Sequence, residues 1–454
     1  MSGNLDLDGL RALVGTGEID TVLVCFPDMQ GRLLGKRMTG HFFLDQSLEE
    51  THGCDYLLAV DIDMEPVPGY QASSWERGYG DFAIAPDMAT LRRIPWLPAT
   101  ALVIGDCRDD HGNPVAHAPR SILKRQLARL AEKGLVAKMA SELECYAFNE
   151  SYDEARRKDY KELASSGWYI EDYHILQTSK DEALIRAIRN HMDGAGIPVE
   201  NSKGEWGPGQ QEINLYYAEA LEMADRHSIF KNGAKEIAIS QGKSLTFMAK
   251  WRYDLAGSSC HIHSSLWDAE NDAPMFHDPA APHGMSKLFR HYLAGLLALA
   301  DEMTYFLAPY INSYKRFQAG SFAPTRMVWS GDNRTAGFRL LGQGPATRIE
   351  CRIPGADANP YLAYAAMLAA GLHGIENELE LEPIFSGDAY TAEGLREIPK
   401  TLREAIALLD GSAALRAALG DAVVDHYVHT GRWEQLEYDR RVTDWEVVRG
   451  FERA

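Results

Sequence analysis

Apolar residues gather in short runs over the first hundred positions and at helical spacing beyond them. Thr21–Phe26 is an apolar run of strand length, FPDMQGRLLGKR reads as a turn-rich hairpin, and Tyr56–Ile62 is a second apolar run. Ala101–Asp106 (ALVIGD) predicts a further strand, and CRDDHGNP behind it reads as a loop from its Asp, Gly, Asn and Pro. A domain boundary is expected near residue 110. Pro119 then opens a helix, RSILKRQLARLAEKG, whose Ile122, Leu123, Leu127 and Leu130 share one face and which Gly134 stops. LVAKMASELECYAF alternates as a strand. Later strands (SLTFMAKW, AGFRLLG, TRIECRIP) mix with helices over Lys287–Thr304, Pro360–Leu379 and Leu402–Leu409. The pattern predicts an α+β protein, with a small β-rich domain over residues 1–110 and a larger one over 111–454.

A chain of 454 residues, 45% hydrophobic and 24% charged, supports a sizeable core. No apolar run reaches the roughly 20 residues of a spanning helix. MSGNLDLDGL lacks the basic start and apolar stretch of a secretory signal. A formal charge of -19 argues against nucleic acid or an anionic membrane as the main partner. The six cysteines are scattered without metal-finger spacing, so reduced thiols in a cytoplasmic enzyme are expected.

Residues two apart in a strand face the same side. SELECYAF therefore pairs Glu142 with Glu144, GSSCHIHSSLW pairs His261 with His263, and TRIECRIP pairs Glu350 with Arg352. GEWGPGQQE adds Glu205 and Glu212 from a Gly/Pro loop. A lone Glu-x-Glu strand is more often a solvated edge, and a lone His-x-His an ordinary strand face. Their joint occurrence implies a common funnel. Burying so many carboxylates without cations is prohibitive, and hard oxygen ligands with one imidazole suit two Mg2+ or Mn2+ ions. Gly242-Lys243-Ser244 looks like the end of a phosphate loop, but Ile237 stands where its first glycine would be.

The order of these motifs resembles the glutamine synthetase family along nearly the whole chain. SELECYAF is similar to its paired-glutamate strand and GEWGPGQQE to its metal loop. QGKSLTFMAKW with AGSSCHIHSSLW, then INSYKRF, DNRTAGFRL and TRIECRIPGADANPYLAYAAMLAAG, match its later blocks. The resemblance implies an N-terminal β-grasp domain and a catalytic domain on a curved antiparallel sheet. It also implies a dodecamer of two hexameric rings, with each active site completed by a neighbour's N-terminal domain. By resemblance, Glu144, Glu205 and Glu212 hold the metal nearer the amino acid, and Glu142, His261 and Glu350 the metal on the ATP phosphates. Gly257, Arg316 and Arg352 match positions that hold glutamate, Arg334 and Arg339 the phosphates, and Glu200, His263 and Ser265 the nucleotide.

The implied reaction phosphorylates the γ-carboxylate of glutamate with ATP, after which an amine attacks the acyl phosphate. Glutamine synthetases bind ammonium with a glutamate six residues after the arginine of Asn-Ser-Tyr-Lys-Arg. Here that arginine is Arg316 and the sixth residue is Phe322. The family's Asp-Gly-Ser-Ser turn is also missing; LLAVDIDMEP stands there, offering Asp61 or Asp63. An aromatic ring in place of an anion favours a larger amine. Ethanolamine or methylamine is the first expectation, a polyamine the next, and ammonium the alternative. A non-catalytic oligomer and a two-metal hydrolase are the competing readings from other classes. Tyr390 lacks the flanking pattern of an adenylylated tyrosine, so that control is not expected.

Overall fold

β1 (Thr21–Pro27) and β2 (Leu33–Thr39) form the expected hairpin, paired from Thr21↔Thr39 to Pro27↔Leu33. The computed structural model describes residues 3–454. β3 (Thr51–Cys54), β4 (Asp81–Pro86), β5 (Arg92–Arg93) and β6 (Thr100–Arg108) complete a sheet ordered β2-β1-β6-β4-β3, with β5 on β6. β1 runs parallel to β6, while the other pairs are antiparallel. This is the β-grasp arrangement. β1 is buried at almost every position because both of its faces are covered. Val22, Val24 and Phe26 pack on Leu10, Val14 and Phe43 of two helices, Leu7–Thr16 and Gly40–Gln46. Leu23 and Cys25 face the larger core.

Tyr56–Ile62 is not a strand. Asp55–Leu58 is a 3-10 turn, and Asp61 closes the next bend by accepting from the backbone N–H of Asp63 (2.9 Å) and Glu65 (3.0 Å). That carboxylate competes with strand pairing for the backbone.

The second sheet has nine strands: β7 (Leu135–Phe148), β8 (Val199–Gly204), β9 (Gln210–Leu215), β10 (Ala218–Glu219), β11 (Ser244–Thr246), β12 (Cys260–Asp268), β13 (Trp329–Gly331), β14 (Phe338–Leu341) and β15 (Arg348–Cys351). Their order is β13-β14-β15-β12-β7-β9-β8, with β10 and β11 also on β7. Only the first three residues of SLTFMAKW stay in the sheet. Beyond them Ala249 and Lys250 bond instead to Ser258 and Asn312. The helix predicted to reach Thr304 spans Lys287–Ala298, and a separate turn, Thr304–Leu307, follows.

The helix Pro360–Glu376 is buried along nearly its whole length. It crosses Lys287–Ala298 so closely that a Cβ on Gly295 would lie 2.1 Å from the Ala370 carbonyl oxygen, so no side chain fits there. Asn359 caps it and donates to the carbonyls of Asp28 (3.2 Å) and Met29 (3.0 Å) in the β1–β2 turn. A second tie is Arg120 on the helix Pro119–Ala131. It pairs with Asp87 and Asp106 beside the first sheet and with Asp225 on the helix Ala220–Ser240. The six cysteines are free, and burial pushes the Cys145 and Cys351 thiols up to about 12, which leaves them unreactive. Among the described residues no helix is long and apolar enough to cross a membrane.

Candidate active site

On β7 the side chains of Leu143 and Cys145 are buried in the core, so Glu142 and Glu144 face the opposite side. Register then assembles the rest. His261 stands opposite Glu142, His263 opposite Glu350, Glu212 opposite Glu144, Arg339 opposite Glu350 and Lys203 opposite Glu212. β8 ends at Gly204, so Glu205 hangs from the following loop. Glu212 lies on β9 rather than in that loop, because its backbone pairs with Glu144.

Ligand oxygens of Glu144, Glu205 and Glu212 all lie within 4.8 Å of one another. Ser259 fixes Glu144 with its backbone N–H (2.7 Å) and hydroxyl (2.6 Å). Burial and the neighbouring Glu205 push the Glu144 carboxyl up to about 7 and that of Glu212 up to about 9. Three such carboxylates stay ionised together only around a cation. The protein's own cation here is Lys203, paired with Glu205 and 3.7 Å from Glu212. An all-oxygen donor set suits Mg2+ or Mn2+.

These raised values have a consequence for pH. Metal-free protein holds protons on Glu144 and Glu212 that the unfolded chain gives up. Their stabilising contribution is full below the ordinary carboxylate range and is lost as pH rises through about 7 and then about 9. A divalent cation must displace those protons. Mn2+ binding at pH 7 should therefore release about one to two protons per subunit, with affinity climbing as pH rises. Calorimetry in two buffers of different ionisation heat reads this directly, and proton-neutral binding would contradict it.

The second group is Glu142, Glu350 and two imidazoles. His261 Nδ1 lies 3.2 Å from Glu142 and 3.4 Å from Glu350, while His263 Nε2 lies 2.8 Å from Glu142. The sequence singled out His261 as the ligand, yet the trio whose ligand atoms all lie within 4.8 Å of one another is Glu142, His263 and Glu350. Hydrogen bonding separates their roles. Arg348 Nε donates to His263 Nδ1 (3.1 Å), so the proton of neutral His263 sits on Nε2 and points at Glu142. Burial and Arg352 push His261 down to about 4, leaving its ring neutral beside the two carboxylates. Burial opposes ionisation of Glu350, but Arg352 holds its carboxyl below the usual range.

Two adjoining cavities flank these groups, and Glu142 and Asn214 line both. The first, about 630 Å3, is lined by Gly257, Arg316, Phe322, Arg334, Arg339 and Arg352. Gly257 has no room for a side chain, because a Cβ would meet the Arg316 stem at 2.7 Å. Arg316 donates to the carbonyls of Ile353 (2.8 Å) and Arg352 (3.0 Å). Arg352 bonds Glu350 (2.7 Å) and the Phe322 carbonyl (3.2 Å), and its buried Nε has no hydrogen-bond partner among the described residues. Arg339 is tied to Asp332 and Glu350, while Arg334 is exposed. The second cavity, about 450 Å3, is lined by Glu200, His263, Ser265 and Trp267, whose indole donates to Ser265 (2.9 Å).

Asp61 and Asp63 line a different cavity and neither reaches this one within the chain; Asp61 is already spent on its own turn. Gly242-Lys243 is a helix terminus, with Gly242 at φ 68 and Lys243 3.1 Å from Asp181. Sequence reasoning missed Lys203 and Trp206. The aromatic between Glu205 and a Gly-Pro turn was the available signal for the second. Its ring meets Phe322 edge to face, centroids 5.5 Å apart. Phe322 has φ 60, a left-handed conformation costing roughly 1–2 kcal/mol for a residue with a Cβ. Two bonds hold it there, from Arg352 to its carbonyl and from the Tyr390 hydroxyl to the Ala323 carbonyl (3.0 Å).

The family model described as the glutamine synthetase catalytic domain matches residues 116–449. A γ-glutamylethanolamide synthetase of Streptomyces coelicolor is 52% identical over 99% of this chain and 96% of its own length. A glutamate–isopropylamine ligase of a Pseudomonas species is 35% identical over 97% of this chain and 96% of its own. Among solved structures, GmaS in complex with ADP superposes with a TM-score of 0.85 at 28% identity, covering 98% of this chain and 99% of that one.

Proposed function

The chain belongs to the glutamine synthetase family, and from that premise we propose that it joins the γ-carboxylate of L-glutamate to a short primary amine at the expense of ATP. Members of the family depend on ATP and a divalent metal. A γ-carboxylate oxygen attacks the terminal phosphorus of ATP, ADP departs, and an acyl phosphate forms. The uncharged amine then attacks the carbonyl carbon, phosphate leaves, and the nitrogen gives up one proton.

We assign Glu144, Glu205 and Glu212 to one Mg2+ or Mn2+ and Glu142, His261 and Glu350 to a second. Bound there, the ions screen the charge of phosphates and carboxylate. His263 orients Glu142 rather than binding metal. Arg352, with its unpaired Nε, and Arg316, packed behind Gly257, are placed to grip the amino acid. Arg334 and Arg339 are placed for the phosphates, since a guanidinium fork pairs two oxygens at once. Glu200, His263 and Ser265 line the nucleotide side.

The observation that carries the choice of amine is Phe322. It stands where ammonia-using members have a glutamate, and its strained backbone directs a ring, not a carboxylate, into the cavity. An aromatic wall attracts bare ammonium through its charge alone, whereas it also covers the carbon substituent of a larger amine; ethanolamine or methylamine fits best. The 1–110 and 111–454 division, a cytoplasmic location and a homododecamer of two hexameric rings belong to the same reading. The placement of Asp61 and Asp63 away from the active-site cavity of their own chain supports a site completed by a neighbouring subunit. Phosphate release with glutamate, ATP and a panel of amines tests the proposal. Ethanolamine or methylamine should exceed ammonium; ammonium outrunning every alkylamine would end it, and absence of turnover with all would favour a non-catalytic oligomer.

A further inference from the structure

We infer that Trp206 is a specificity-determining residue, forming with Phe322 a two-ring clamp that holds the carbon substituent of the incoming amine. This deepens the ligase reading and rests on it. Trp206 directly follows the metal-loop residue Glu205, and Phe322 comes from a loop more than a hundred residues later. Their rings meet at 5.5 Å and 63° at the wall of the cavity that also holds Glu144, Glu205 and Glu212. Trp206 is 47% exposed and Phe322 48%, so the pair leaves half of its surface for a third group to cover.

The chemistry of that surface defines the ligand. Ring faces attract an alkylammonium through its charge and cover its carbon atoms, whereas bare ammonium has no carbon to cover. A third ring, Tyr173, stands at the same cavity but is already engaged by the Lys203 ammonium at 4.7 Å. The class is therefore a primary amine with a short alkyl or hydroxyalkyl group. The left-handed backbone at Phe322 fits this assignment, because Arg352 on the Phe322 carbonyl and Tyr390 on the Ala323 carbonyl hold the loop that brings the ring to the indole.

The test compares Trp206→Ala and Trp206→Phe with wild type, measuring kcat and KM for ethanolamine, methylamine and ammonium, and KM for glutamate. Trp206→Ala should lower the ethanolamine-to-ammonium ratio of kcat/KM about tenfold or more, chiefly through amine KM, with glutamate KM moving less than about twofold. Trp206→Phe, keeping a ring, should hold the ratio within about threefold. An unchanged ratio in Trp206→Ala, or amine and glutamate KM rising together as a misplaced Glu205 loop would cause, overturns the inference. A wild type that prefers ammonium sinks the ligase reading and this inference with it. A wild type that prefers ethanolamine, with the same preference in Trp206→Ala, sinks the inference alone.

Discussion

Glu212→Gln should cut turnover with every amine by about a thousandfold or more while leaving the metal-free protein at least as stable at neutral pH. The two halves have one cause. Burial and Glu205 push the Glu212 carboxyl up to about 9, so at pH 7 without metal it already carries a proton, and an amide of the same shape imitates that state. Asn214, which donates to Glu212 Oε1 at 3.0 Å, can still bond the amide oxygen. Lost is the negative charge that a divalent ion would draw out. Mn2+ should raise the melting temperature of Glu212→Gln less than that of wild type, because only the ligands of the second ion remain intact. Phosphate release and thermal melts with and without Mn2+ read both halves. Activity within tenfold of wild type would show that this acid is not a ligand.

The second large effect is expected at the other wall of the cavity. Phe322→Glu should shift the ammonium-to-ethanolamine ratio of kcat/KM by about a hundredfold toward ammonium, because it adds an anion and removes a ring in one step. Glutamate bears a Cβ as phenylalanine does, so the cost of φ 60 is shared and the variant keeps the same loop anchored by Arg352 and Tyr390. Phe322→Leu separates the two contributions. It keeps an apolar wall without the edge-to-face contact on Trp206, so ethanolamine should decline by about tenfold with no gain for ammonium. Competitive rate measurements on both variants decide. Equal losses for both amines in Phe322→Glu would make the loop a scaffold rather than a selector.

Much of the site was legible in the sequence because strand periodicity is rigid. Once SELECYAF is a strand, Glu142 and Glu144 must share a face, and the same parity places His261 with His263 and Glu350 with Arg352. The resemblance to a family supplied the roles, which spacing alone did not contain. Harder to see were features set by contacts between distant segments. Lys203 reads as an ordinary strand residue until register sets it opposite Glu212. Trp206 gains meaning only when a loop more than a hundred residues away brings Phe322 to it. The division between His261 and His263 depends on Arg348, whose hydrogen bond fixes a tautomer that no motif encodes. Among the elements, the strand expected at Tyr56–Ile62 failed because Asp55–Leu58 winds into a 3-10 turn and Asp61 closes the next bend on the Asp63 and Glu65 N–H groups; apolar content alone did not reveal that competition. The helix Leu7–Thr16 escaped notice, although Asp6 caps it by accepting from Gly9.

By the proposal above, this site activates glutamate for an organic amine in preference to ammonium. Purified protein given glutamate, ATP, Mg2+ and equal concentrations of ammonium and ethanolamine puts that preference to one measurement, the product ratio by mass spectrometry. γ-Glutamylethanolamide should dominate, with ADP and phosphate appearing in step with it. A product pool made mainly of glutamine would contradict that preference.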